Sequence, residues 1–252
     1  IWSRLVGSEM CIRDSSSIDS TAFHSVLKNF CAAILVAFDL NPKRLPHSVL
    51  DGLTRILASV LKGEPGLVEQ FWDEEYMLDQ PIRNFLGECQ QLFPTIPVPY
   101  TRLLQALCEA MDETNASLVN GQVLSHLRDL KSISVFHSPS DLMDAASEMH
   151  MKHQVPERMH LQIGKKVRLV KSCLYQIPEC PGLFIDDKVI GSVLEHYRDG
   201  SDSSESKYLV SWTVDIDGYF LILCRLHSFS MLDDVVAKAE EIQLSFKLLS
   251  AV

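Results

Sequence analysis

The sequence predicts a mostly α-helical fold: an α-solenoid of stacked antiparallel helices carrying an inserted, small SH3-like β-barrel. Three observations lead there. Apolar residues recur at spacings of three and four through most of the first 130 positions, the period of an amphipathic helix. Pro, Gly and Asn cut that pattern into short helices with short connections, the rhythm of antiparallel helix pairs piled in series. After His160 the period drops to two for several short stretches before helical spacing returns. No internal sequence repeat is visible, so a compact bundle is the rival arrangement.

The elements follow in order. Asp19 or Ser20 caps a first helix carrying Phe23, Val26, Leu27, Phe30, Ile34, Leu35 and Phe38, ended by Asn41-Pro42. A second helix starts near Pro46 and presents Val49, Leu50, Leu53, Ile56, Leu57, Val60 and Leu61 before Gly63. The third, from Pro65 to about Glu74, buries Leu67, Val68, Phe71 and Trp72. Pro81 suits the first turn of a fourth helix, which stops before Pro94. Thr95–Pro99 reads as a rigid link, because residues before proline are pushed away from helical geometry. A fifth helix carries Tyr100, Leu103, Leu104, Leu107 and Met111, and a sixth covers Ala116 to Leu130.

The alternating stretches Ile163–Val170, Val189–Leu194, Lys207–Val214 and Tyr219–Cys224 read as strands. Between them, Asp199–Ser206 is a polar hairpin tip and Asp215–Gly218 a tight turn. Phe229–Ser250 returns to helix. The expected organisation is therefore a helical solenoid over 16–160, an SH3-like insertion over 161–228 and a return to solenoid helix over 229–252.

Residues 1–15 are set aside from this scheme. Leu5–Ser15 resembles the in-frame translation of a sequencing adaptor, which carries no folding information. The chain is then expected to be a piece of a larger protein. Its net charge of −10 argues against a nucleic-acid surface, which needs clustered Lys and Arg. The densest basic cluster, Lys165, Lys166, Arg168 and Lys171, alternates with apolar residues as the solvent side of a strand does. No apolar run approaches the length of about 18 residues that spans a bilayer; Phe30–Phe38 comes nearest. Outside the leader, Cys31, Cys89, Cys108, Cys173, Cys180 and Cys224 form no C-x-x-C pair and sit mostly in apolar runs, which favours a reducing compartment. Asn115-Ala-Ser117 matches a glycosylation sequon, but it reads better as an Asn opening a helix.

No catalytic template fits. The sequence lacks a Gly-rich phosphate loop, H-E-x-x-H, G-x-S-x-G and any Cys or His pair at zinc spacing. Met149, His150, Met151 and His153, followed by Met159-His160, have ligand types that suit copper, yet read better as a solvated helix end entering a linker. Cys173 and Cys180 could meet across a loop, or simply pack. Asp73-Glu-Glu75 and Asp233-Asp234 point in different directions on a helix and suit solvated faces. No catalytic, cofactor-binding or metal-ligating residue is therefore assigned. Tyr175, Trp212 and Tyr219 are the candidate interaction residues, with Trp212 either a core residue or a ligand-stacking platform. The balance favours a scaffold over a catalyst.

Two stretches carry a resemblance. Phe71-Trp-Asp-Glu-Glu-Tyr-Met-Leu-Asp-Gln-Pro-Ile-Arg-Asn-Phe-Leu86, with Phe93-Pro94 and Tyr100-Thr-Arg-Leu-Leu-Gln-Ala-Leu107, resembles the helical N-terminal region of the large inner-ring scaffold nucleoporins. Gly218–Leu226, entering the following helix, is similar to the exit from the SH3-like insertion that one member of the family carries. The resemblance spans nearly all of Thr21 to Val252 and includes no reactive residue. It implies a structural constituent of the nuclear pore complex, located in the nucleus at the nuclear envelope, that supports nucleocytoplasmic transport of protein and mRNA. The implied partners are other inner-ring nucleoporins, including linker and phenylalanine-glycine-repeat nucleoporins, with no cofactor, small-molecule substrate, transmembrane segment or direct nucleic-acid contact. The Met/His cluster and the serine-acid hairpin match nothing in the family. A karyopherin-like transport receptor, a vesicle-coat or adaptor solenoid, and an enzyme whose active site lies elsewhere in a longer protein are the alternatives. A piece of a solenoid is also expected to expose an apolar end, making either Ala116–Val252 or the Thr21 end sticky when expressed alone.

Overall fold

A computed structural model describes residues 21–40, 42, 45–109, 116–146, 161–170, 175–176, 184–185, 188–198, 206–229 and 238–252. The adaptor-like leader, Asn115, the Met/His cluster, Cys173, Cys180, most of the hairpin tip and Asp233-Asp234 lie outside the described residues.

Eight helices and seven strands are described. Helix α1 covers 21–37. It is followed by α2 (His47–Leu61), α3 (Pro65–Trp72), a 3₁₀ turn (Met77–Asp79), α4 (Gln80–Gln91), α5 (Pro97–Glu109) and α6 (Ala116–Arg128). Then come β1 (Leu130–His137), β2 (Leu142–Asp144), β3 (Lys166–Leu169), β4 (Tyr175–Gln176), β5 (Phe184–Ile185), β6 (Gly191–Arg198) and β7 (Ser206–Ile216). Helices α7 (Gly218–Phe229) and α8 (Ala239–Ala251) complete the set.

Local chemistry explains the helix starts. Pro65 opens α3 and Pro81 is the second residue of α4, both in the first turn, where an absent N–H costs nothing. Pro97, expected in a rigid link, instead opens α5 for the same reason. The inward stripe of α2 is Leu50, Thr54, Leu57, Val60 and Leu61, close to the periodicity read from the sequence.

The solenoid-with-barrel expectation is overturned. Every residue of α5 from Tyr100 through Cys108 is buried, and α5 packs against α2, α4, α6 and α8. A solenoid rung touches only its neighbours in sequence. Here α8 returns from beyond the sheet to lie on α5, so the earlier helices close around a central one. The buried apolar residues form one continuous core, running from Leu50 through Leu104 to Trp212 and Leu248. The chain is a mixed helix-and-sheet fold.

The sheet also departs from expectation. Five antiparallel strands lie in the order β1-β7-β6-β3-β2, with β4 and β5 forming a separate two-stranded ribbon. Strands β1 and β2 come from the segment expected to be helical. β1 pairs along its length with β7, matching Ile133 to Trp212 and Val135 to Val210. In the other direction, the expected strand at Tyr219–Cys224 is part of α7. The Asp217 carboxylate accepts hydrogen bonds from the Tyr219 and Phe220 N–H groups at 2.9 and 3.4 Å, capping the helix.

Two glycines fix close approaches. A Cβ on Gly191 would lie 2.6 Å from Val210 Cγ1 and 2.8 Å from Trp212 Cε3, so the indole lies directly against the β6 backbone. A Cβ on Gly218 would collide with the Leu127 carbonyl and the Leu130 side chain, where α7 starts against the end of α6.

Helices and sheet are joined at Ser134. Its N–H donates to the Phe93 carbonyl at 2.9 Å, and its hydroxyl donates to the Leu92 carbonyl at 2.6 Å. Thr95 Oγ1 donates back to the Ser134 carbonyl at 2.6 Å.

Candidate interaction surface

The three residues singled out from sequence have different fates. Trp212 is 0% exposed. Its indole N–H donates to His137 Nε2 at 3.0 Å, and the rings meet edge-on at 5.3 Å. That makes Trp212 a core residue and removes it as a ligand platform. Tyr219 is half-buried in the first turn of α7. Tyr175 pairs through its backbone with Ile185 in the small ribbon. Sequence reasoning missed His137, whose burial pushes its pKa down to about 4. Accepting from the indole on Nε2 fixes the neutral ring with its proton on Nδ1.

The residues that carry the family resemblance converge on packing. Phe71 meets Trp72 edge-on at 5.1 Å, and Phe93 lies 5.6 Å from Tyr100. His126 on α6 sits between Trp72 and Tyr100, at 5.9 and 6.0 Å, and burial lowers its pKa. Arg83 donates to the carbonyls of Phe71, Asp73 and Tyr76 at 2.9, 2.9 and 3.0 Å, folding the turn that delivers Asp79.

Buried charges bind the helices together. Lys28 of α1 and Asp79 are both 0% exposed and 2.7 Å apart. The Lys28 ammonium also donates to Gln70 Oε1 at 3.0 Å and lies 5.1 Å from the Tyr76 ring centre. Arg102 of α5 lies 2.8 Å from Asp51 and 2.6 Å from Glu240. Partial burial pushes the Asp51 pKa up, yet hydrogen bonds from Arg102 and Arg55 hold it below the usual carboxylate range. Burial raises the thiols of Cys31, Cys89 and Cys224, and that of Cys108 to about 12, so each packs as a small apolar group. Among the described residues no three His, Cys, Asp or Glu side chains converge on a metal position. A shallow depression of about 400 Å³ on α6, lined by Gly121, Leu124, Ser125, Arg128 and Asp129, is too open to enclose a small molecule.

What the surface offers instead is apolar. On α1 the inner face carries Leu27, Cys31, Ala32 and Leu35 together with the polar His24 and Lys28, and His24 Nδ1 lies 2.6 Å from Glu64. The outer stripe is Phe23, Val26, Phe30, Ala33 and Ala37, at 63, 67 and 60% exposure for the three large residues. Phe38 and Val36 are exposed as well, and Met77 and Leu78 stand out from the neighbouring turn. Of the apolar residues read at helical spacing, Leu27 and Leu35 face the core while Phe23, Val26, Phe30 and Phe38 face outward, on the side away from Lys28, which points inward to Asp79. A contiguous exposed stripe of this kind marks an association surface. A second, smaller apolar group, Phe220, Leu223 and Phe246, is exposed on α7 and α8.

Among the described residues no helix is long and apolar enough to cross a membrane. No protein-family model and no curated protein matches the chain.

Proposed function

We propose that this chain is a segment of a structural scaffold in the inner ring of the nuclear pore complex, at the nuclear envelope, serving nucleocytoplasmic transport of protein and RNA. Its partners are other inner-ring nucleoporins, including linker and phenylalanine-glycine-repeat nucleoporins. The role is binding, not catalysis, and calls for no cofactor, small-molecule substrate or direct nucleic-acid contact.

The observation that carries the reading is the outward apolar stripe of α1. Helix α1 packs Leu27, Cys31, Ala32 and Leu35 on the body and still presents Phe23, Val26 and Phe30 to water, a second apolar face that another protein can cover. Supporting it, the motif that resembles the nucleoporins maps onto Phe71, Trp72, Arg83, Phe93 and Tyr100, whose contacts organise the helical body.

Expression of a fluorescently tagged full-length copy in cells tests the reading. The expected result is a punctate nuclear rim, lost when Phe23 and Phe30 are replaced by Gln. A diffuse signal or cytoplasmic vesicle puncta from the unsubstituted copy would overturn it, the latter favouring a coat protein.

A further inference from the structure

Helix α8 is held in place differently from α2. Its fully buried side chains are Glu241, Ser245 and Leu248, so only one of them is apolar. Leu249, Ala251 and Val252 pack half-buried against the core, while Phe246 is 60% exposed. By contrast α2 buries Leu50, Leu57, Val60 and Leu61.

Charge supplies the rest of the hold. Two adjacent carboxylates in the first turn of α8 grip different helices. Glu240 accepts from Arg102 of α5 at 2.6 Å, and both its oxygens lie 3.3 Å from Arg55 Nη2 of α2. Glu241 takes Arg225 of α7 through two guanidinium nitrogens, Nε and, at 3.2 Å, Nη2. Lower down, Lys247 lies 3.9 Å from Glu109. Arg102 and Arg225 are nearly buried, at 8 and 7% side-chain exposure.

One of the two clamps leaves its arginine partnered when α8 lifts away. Arg102 keeps Asp51 at 2.8 Å and the Thr54 hydroxyl at 2.8 Å, so the α2–α5 pair stays satisfied. That contact between α2 and α5 is independent of α8. We propose that α8 is a charge-clamped strap that opens as a unit from an otherwise folded molecule, uncovering the face of α5 beneath it. The proposal does not rest on the nuclear-pore reading, since it follows from these contacts alone.

Hydrogen exchange read by mass spectrometry on the full chain tests it. Amides of α8 are expected to exchange at least about tenfold faster than those of α5, as separately opening units do. Glu241→Gln is expected to speed α8 exchange by a further factor of about a hundred, since it breaks a buried pair from one side, with α5 unchanged. Should that variant fail to fold, Glu240→Gln, at a half-exposed position, gives a smaller effect on the same readout. Exchange of α8 and α5 at one common rate in the parent protein, or equal acceleration of both by a variant, would overturn the proposal.

Discussion

At the residue scale, Trp212 and His137 show how a sheet interior sets an ionisation state. The imidazole accepts a hydrogen bond from the indole N–H and stays neutral because burial disfavours the cation, bringing its pKa to about 4 from the ordinary value of about 6.5. The linkage has a definite sign. Above about pH 6.5 neither folded nor unfolded chain holds the proton, and the histidine leaves stability flat. Between about 6.5 and about 4 the unfolded chain takes a proton that the folded chain refuses, so stability falls as pH falls. The full loss is about 3 kcal/mol, and His126, shifted the same way by burial, adds to it. Urea denaturation at pH 7.5 and pH 5 should show the decline, and His137→Gln should flatten part of it. An undiminished slope in that variant would assign the decline to other groups.

At the scale of elements, α1 and α7 are the informative pair. The α1 pattern at three- and four-residue spacing identified a helix but not which face turns inward. Choosing the face needed Lys28 and Asp79, which meet across 51 residues of sequence as a buried pair. Replacing Phe23 and Phe30 by Gln should therefore change folding stability by no more than about 0.5 kcal/mol, measured by thermal or urea unfolding, while raising solubility. A loss of several kcal/mol would mean that those rings are packed inward. α7 fails in the opposite direction. Tyr219-Phe-Leu-Ile-Leu-Cys224 is a short continuous apolar run, and such runs suit a buried strand as well as a helix. The cap from Asp217 and the tight fit of Gly218 against Leu127 decide for helix. β1 was legible in principle, since Ser132 and Ser134 alternate with Ile133 and Val135, but the helical run before it masked the change of period.

At the scale of the whole molecule, the decisive feature is that sheet and helices share one core. Ser134 in β1 exchanges three hydrogen bonds with the end of α4 and the residues after it. Ser134→Ala removes one of two donors to the buried Leu92 carbonyl, which keeps the Ile96 N–H at 2.9 Å, and should cost about 0.5–1.5 kcal/mol, read by urea unfolding. Apart from the local opening of α8, global unfolding followed by helical circular dichroism and by tryptophan fluorescence should coincide in the parent protein, as a core shared by sheet and helices requires. Two separated transitions would show that the layers fold independently.

The sequence by itself determined most helix spans, the hairpin strands β6 and β7, and the burial of residues such as Leu50, Leu57, Leu104 and Leu107, because spacing and proline placement act locally. The tertiary structure alone decided that α5 lies at the centre, that α8 closes back onto it, that Trp212 is core and that the phenylalanines of α1 face water. Each of those outcomes depends on partners far away in sequence: Asp79 for Lys28, His137 for Trp212, Arg102 for Glu240. Periodicity records which residues share a face, and only the distant charge or ring that meets them fixes where that face points.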